Sequence, residues 1–211
     1  IRFYRSPSAY DSGPALVITH ATTPTGPTVT SVTQTSGGTE GSPAVMTVAL
    51  SGATSGSTNF AATLAGVTAT GSGTDFTSDL ASATYSNGVT FSGGNMVVPD
   101  AVSGWTVTIA TTSDTLDEAN ETATLTVGGT AGTLTITDDD AQPTVTISDA
   151  TEVAGTVTFV ATLSAASGRS LSFDYATADG TKTAGVDYTA ASGTVTFAAG
   201  ETTKDIVITA L

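Results

Sequence analysis

Apolar residues recur at every second position through most of this chain, usually with threonine between them. Trp105-Thr-Val-Thr-Ile109 is one such run, and Ala123, Leu125 and Val127 repeat it. Leu134 and Ile136, Val145 and Ile147, then Val157, Phe159, Ala161 and Leu163 continue the pattern, as do Val195 with Phe197 and Ile206 with Ile208. A period of two puts alternate side chains on opposite faces of an extended strand. One face then packs on a second sheet, and the threonine-rich face meets water. Ser86-Asn87-Gly88, Gly93-Gly94-Asn95, Gly128-Gly129 and Ala178-Asp179-Gly180 read as turns between strands. Many short strands with such turns predict an all-β antiparallel sandwich, with no helix. Cysteine is absent, so the fold must rest on a buried core or a bound ion.

The pattern occurs twice. Gly-Ser-Gly-Thr-Asp-Phe at 71–76 corresponds to Ala-Gly-Val-Asp-Tyr at 184–188, and each precedes a strand containing Val-Thr-Phe (89–91 and 195–197). Glu40 and Glu152 lie in similar openings. The spacing is 112 residues at both anchors (40 to 152, 75 to 187), which argues for two copies of one domain. The expected division is a first sandwich over 28–140 and a second over 141–211. The second has no counterpart of 101–140, so it is expected to lack its last strands, leaving an apolar cleft and an unpaired edge. Residues 1–27 belong to neither copy. They hold a strand-like run, Ala15–Thr19, and a Thr/Pro linker.

The net charge is −14, from 5 basic and 19 acidic residues. Phosphate backbones and anionic lipid would repel such a chain, so nucleic acid is not expected as a partner. No apolar run has the length of a membrane span, and membrane insertion is not expected. The carboxylates are grouped. Asp114, Asp117, Glu118 and Glu121 fall within one short stretch, Asp138-Asp139-Asp140 follows a strand, and Glu40 stands alone near the start of the first copy. In a sandwich, the 113–121 loop and the exit at 138–140 come to the same end. Carboxylates about 4 Å apart repel by roughly 1–4 kcal/mol per pair. Either the groups are solvated acidic turns or a cation offsets the repulsion. Ca²⁺, which takes 6–8 oxygen ligands in flexible geometry, is the expected cofactor. One histidine and no cysteine argue against zinc or copper.

Catalysis is not expected. A Ser-His-Asp arrangement would have to use His20, the only histidine, which lies in the N-terminal linker. Asp117 and Glu118 are adjacent, so on a strand they would point to opposite faces and not act as a glycosidase pair. Trp105 is in phase with Val107 and Ile109 and is expected in the core. Asp75 and Asp187, in the repeated Asp-aromatic motif, are expected to be structural turn residues.

Phe173-Asp-Tyr-Ala-Thr-Ala-Asp-Gly-Thr181, Ala184–Tyr188, Ser192–Phe197 and Ala199-Gly-Glu-Thr202 together resemble a Calx-β repeat over about 142–211. Asp114-Thr-Leu-Asp-Glu-Ala-Asn-Glu-Thr122 and the Thr135–Asp140 ending resemble the related immunoglobulin-like extender repeats of large bacterial biofilm adhesins, over about 28–140. The resemblance implies calcium at the distal end of the sandwich. The ligands it implies are Glu40, Asp114, Glu118, Glu121, Asp138, Asp139 and Asp140, with Asp117 in the same loop. An acidic residue often stands where this chain has Ser113, which implies fewer ions. The second copy lacks the Glu-x-x-Glu loop, so Glu152 and Asp179 are not expected to complete a site.

These features predict a calcium-stiffened spacer or fibre module of an extracellular, bacterial cell-surface adhesin. Its expected partners are neighbouring repeats of the same or an identical chain. Two alternatives remain: a fibre subunit that polymerises by donating Ala15–Thr19 into the incomplete second sandwich, and a regulatory calcium-sensing module.

Overall fold

The computed structural model describes residues 26–211. The run Ala15–Thr19, His20 and the terminal Arg2, Tyr4, Arg5 and Tyr10 lie outside the described residues.

The first sandwich contains β1 (Val29–Ser36), β2 (Ala44–Leu50), β3 (Thr58–Gly66), β4 (Thr84–Tyr85), β5 (Thr90–Ser92), β6 (Asn95–Val98), β7 (Gly104–Ile109), β8 (Glu121–Val127) and β9 (Thr130–Ile136). One sheet has the order β1-β2-β7-β4 and the other β5-β6-β3-β8-β9, with all pairings antiparallel. The alternation seen in the sequence decides which face goes inward. Met46, Val48, Trp105, Val107 and Ile109 from one sheet, and Leu125, Val127, Leu134 and Ile136 from the other, are all buried. Trp105 packs against Phe60 with ring centroids 5.9 Å apart. At one side, β1 runs beside β9 and the Gln34 side chain closes the seam. Its amide donates to the Thr135 carbonyl at 3.1 Å and accepts from the Thr135 N–H at 2.7 Å.

The turn between β8 and β9 is Gly128-Gly129, with φ of 56° and 85°. Two positive values in a two-residue turn give the twist that suits a tight hairpin, and only glycine adopts both without strain. Its register pairs Val127 with Thr130 and Glu121 with Ile136, which leaves Glu121 at the end of β8 where β9 hands over to Asp138. Among the described residues the only helical element is a single 3₁₀ turn, Leu80–Ser82, capped by the Asp79 carboxylate.

The second sandwich contains β10 (Val145–Ile147), β11 (Glu152–Val153), β12 (Thr156–Leu163), β13 (Leu171–Ala176), β14 (Ser192–Phe197) and β15 (Thr203–Thr209). β12 pairs with β10, β11 and β15. Facing that sheet, β13 pairs only with β14 among the described residues. In the first sandwich β3 has β6 on one side and β8 on the other. Among the described residues, no strands cover β13 as β8 and β9 cover β3. Its core is correspondingly small, built on Ala161, Leu163, Leu171, Phe197, Ile206 and Ile208. A cavity of about 630 Å³ opens between the sheets, lined by Val157, Phe159, Tyr175, Ile208 and Leu211 among others. Among the described residues no helix is long and apolar enough to cross a membrane.

Two separate cores predict two separable unfolding events. Leu125→Ala is expected to destabilise the first sandwich by about 3 kcal/mol and to shift the transition reported by Trp105 fluorescence. Leu171→Ala is expected to leave that transition in place and shift the one seen in the far-ultraviolet strand signal. A single transition moved equally by both substitutions would contradict two cores.

Candidate metal centre

Three backbone–backbone hydrogen bonds and the Thr111 hydroxyl assemble the tip of the first sandwich. The Glu40 N–H donates to the Thr137 carbonyl at 3.1 Å, and the Thr137 N–H donates to the Gly38 carbonyl at 2.7 Å. Together they set the β1–β2 turn beside the exit of β9. The Thr111 hydroxyl donates to the carbonyls of Thr39 and Ser42, both at 2.9 Å, and so brings the start of the 111–121 loop to the same place. The Thr112 N–H donates to the Asp75 carbonyl at 2.9 Å, which adds the segment after β3. Gly41 has a φ of 67°, and a Cβ there would lie 2.8 Å from the Ser113 Cβ. Glycine therefore permits both the turn and its contact with the acidic loop.

Two carboxylate groups result. Glu40, Asp114 and Asp140 can each offer an oxygen so that all three oxygens lie within 4.8 Å of one another, and so can Asp75, Glu118 and Glu121. The expected residues Glu40, Asp114, Glu118, Glu121 and Asp140 are thus gathered at one tip from distant parts of the sequence. Asp138 stands beside them. Its N–H donates to the Asn120 side-chain carbonyl at 3.2 Å, and its carboxylate accepts from the Asp140 N–H at 3.4 Å. Asp139 is exposed and lies in neither group.

Besides Asp139, an expected ligand that joins neither group, two placements differ from the sequence-based expectation. Asp117 is directed away from both groups and is buried against the second sandwich, where Arg169 and Ser167 hold its carboxylate. An ionised carboxylate already engaged by a guanidinium has its charge offset without a metal. Asp75, read as a turn residue, does accept the Thr70 N–H, but it also completes the group with Glu118 and Glu121. No spacing along the chain points to this second role. It arises from the backbone bond to Thr112 and from the bridge between Phe76 and Thr111. In the second sandwich Asp187 has the turn role alone, accepting from the Thr183 N–H at 2.9 Å and from Lys182 at 3.3 Å.

The electrostatics of the tip are those of crowded, desolvated acids. Burial, followed by the charges of Asp114, Asp138, Asp140 and Glu118, raises the Glu40 carboxyl to about 7. Burial and Asp75 do the same for Glu121, again to about 7. Glu118 is raised by burial and then by Asp114, Asp75 and Asp138. Asp140 is raised by burial and then by Asp139, Asp138 and Asp114. By contrast, hydrogen bonds from Arg169 and Ser167 lower Asp117. Oε2 of Glu40 and Oδ2 of Asp140 are buried without a hydrogen-bond partner. Buried acceptors normally find a donor. Two unpartnered carboxylate oxygens in one three-residue group suit a hard cation that would take them as ligands.

Residues 135–211 match the Calx-beta domain. That span covers the end of β9, Asp138 to Asp140 and the whole second sandwich, while Glu40, Asp75, Asp114, Glu118 and Glu121 precede it. No curated protein matches the chain. Two solved structures are similar to it at 20% identity. A crystal structure of CBD12 from CALX1.2 matches over 79% of this chain and 67% of that chain, with a TM-score of 0.34. A crystal structure of the calcium binding domain CBD12 of CALX1.1 matches over 85% and 71%, with a TM-score of 0.37.

Raised carboxyls give the metal-free protein a defined pH dependence. Between about pH 4.5 and 7 the folded state binds more protons at Glu40 and Glu121 than the unfolded state does. Stability then falls as pH rises through that window. Asp117, whose carboxyl is lowered, already contributes its full stabilisation throughout this window, losing it only at lower pH, and so does not oppose the trend. In EDTA, the melting temperature read from Trp105 fluorescence is expected to drop from pH 5 to pH 8. A flat or rising profile would show that these carboxyls are not forced together.

Proposed function

We propose that this chain is a tandem β-sandwich module that binds Ca²⁺ at the tip of its first sandwich, next to the second, and serves as a calcium-stiffened structural spacer. The unpartnered, buried carboxylate oxygens of Glu40 and Asp140 carry this reading. Oxygen-only donors with no histidine or cysteine favour a hard cation. The spread of ligands over several loops favours the flexible geometry of Ca²⁺ over the strict octahedron of Mg²⁺. Glu40, Asp114 and Asp140 would hold one ion, and Asp75, Glu118 and Glu121 a second, with Asp138 adding charge nearby. Backbone carbonyls and water would complete each shell.

A cation there adds a further tie among segments that only a few hydrogen bonds join: the β1–β2 turn, the 111–121 loop and the exit of β9. That exit leads directly into the second sandwich, so an ion at this point restrains the hinge. Serial repeats linked in this way form a rod, and the partners this role implies are neighbouring repeats of the same or an identical chain. An extracellular bacterial surface is the setting proposed for such a rod. The sequence style, with threonine, alanine and glycine in abundance, supports it.

A calcium-sensing role is the second reading, and the Calx-beta match over 135–211 favours it. Affinity separates the two. Sensor sites bind Ca²⁺ at about 10⁻⁷–10⁻⁵ M, whereas extracellular modules bind at about 10⁻⁴–10⁻³ M. Calorimetric titration of the chain with Ca²⁺ therefore tests both at once. A dissociation constant in the weaker range supports the spacer, one in the tighter range supports the sensor, and no binding removes both.

Substitution at Glu40 should act with opposite sign in the two conditions. Glu40→Gln removes a repelled charge, so in EDTA the first sandwich is expected to melt at the same or a higher temperature. The same substitution is expected to weaken Ca²⁺ binding by roughly tenfold or more. For the parent chain, Ca²⁺ at a hundred times its dissociation constant should add about 2.7 kcal/mol of stability for each ion bound. Asp139→Asn, outside both groups, should change affinity far less than Glu40→Gln.

A further inference from the structure

One carboxylate of the acidic loop faces the second sandwich. Asp117 and Ser167 are each only 2% exposed. The Asp117 carbonyl accepts from the Gly168 N–H at 2.9 Å and from the Ser167 hydroxyl at 3.0 Å. Its carboxylate accepts from the Ser167 hydroxyl at 2.7 Å, from Arg169 Nε at 3.2 Å and from Arg169 Nη2. All these bonds cross from the first sandwich to the second. The donor loop is itself anchored, because the Ser167 carbonyl accepts from the Gly200 N–H and the Ser170 hydroxyl donates to the Phe197 carbonyl, both at 2.9 Å. Gly168 lies so close to the acidic loop that a Cβ there would collide with Glu118 Oε1.

We propose that Arg169, Ser167 and Asp117 form a docking latch that holds the two sandwiches against each other without any metal ion. The planar guanidinium meets both carboxylate oxygens of Asp117 in the two-pronged geometry that gives the strongest ion pairs. The Ser167 hydroxyl adds to the carboxylate and the Gly168 N–H takes the Asp117 carbonyl, so the buried carboxylate leaves nothing for a cation to complete. No lysine or arginine occurs between Arg5 and Arg169, and the first to follow that gap reaches the one acidic-loop carboxylate that turns away from the carboxylate groups. Docking is thus supplied by the chain's own cation, while an exchangeable ion acts on the tip beside it. This separation goes beyond the spacer reading, in which the ion alone stiffens the junction.

Because the chain has no cysteine, a pair of spin labels can be introduced at Thr63→Cys and Thr158→Cys, exposed positions on the first and second sandwich. The distance between them is read by pulsed electron paramagnetic resonance. In EDTA the parent is expected to give one narrow distribution, and Arg169→Gln a distribution at least twice as wide. Trp105 emission controls for the fold of the first sandwich. Arg169→Gln leaves a buried Asp117 unpaired, so the double variant Asp117→Asn/Arg169→Gln, with no buried charge, is measured beside it and is expected to broaden equally. A broad parent distribution that narrows only on adding Ca²⁺ overturns the latch and leaves the calcium site standing. So does Arg169→Gln as narrow as the parent, or a double variant that stays narrow.

Discussion

Electrostatic repulsion among carboxylates that the backbone forces together is the constraint on which this molecule turns. Main-chain hydrogen bonding at the strand ends does not require complementary side-chain charges. The bonds between Glu40 and Thr137, Thr137 and Gly38, and Thr112 and Asp75 form because the main-chain groups at a sandwich tip need partners once the strands end. Their consequence is that side chains from four separate segments converge at one tip. The hydrophobic cores supply the free energy that holds this arrangement. Wherever apolar burial is extensive, as in the first sandwich, the tip can carry several desolvated acids. The second sandwich, with a small core and an open cleft, carries no such group among its described residues.

Much of the fold was legible from side-chain alternation alone. Trp105, Val107 and Ile109, and equally Leu125, Val127, Leu134 and Ile136, sit where a period of two places them, because burial of one face leaves a strand little choice of register. The open second sandwich was legible from the repeat. The site was legible in outline only. Clustering along the sequence brought out Asp114, Glu118, Glu121 and Asp140, since residues near in sequence at a strand end remain near in space. Glu40 was reached through its matching position in the two copies and through family resemblance.

The failures have a common physical origin. Asp117 and Glu118 are neighbours in one acidic loop, and composition treats them alike. Their chemistry differs because one faces a guanidinium more than 50 residues away in sequence (117 to 169), and sequence spacing does not reveal such an encounter. Asp75 shows the converse. Its local bond to the Thr70 N–H is the bond that a turn residue makes. The same carboxylate also meets Glu121 and Glu118, because a loop closing from elsewhere passes over it. A short-range role in a motif therefore does not exclude a long-range one.

Adjacent acids with opposite compensation also explain why this junction tolerates so much negative charge. A carboxylate paired to Arg169 is neutralised within the fold, at a fixed stoichiometry and independently of the surroundings. The carboxylates around Glu40 and Glu121 have no such partner. Their charge is offset only by taking up protons, which burial and crowding favour up to about pH 7, or by a cation drawn from solution. Protons and metal ions then compete for the same oxygens, so cation binding at neutral pH must displace protons that the apo tip still holds. The two forms of compensation divide the work by strength and by reversibility. The permanent pair sits between the sandwiches, where loss of contact would separate them. The exchangeable one sits at the rim, where uptake of protons or a cation changes the charge while the strands beneath keep their pairing.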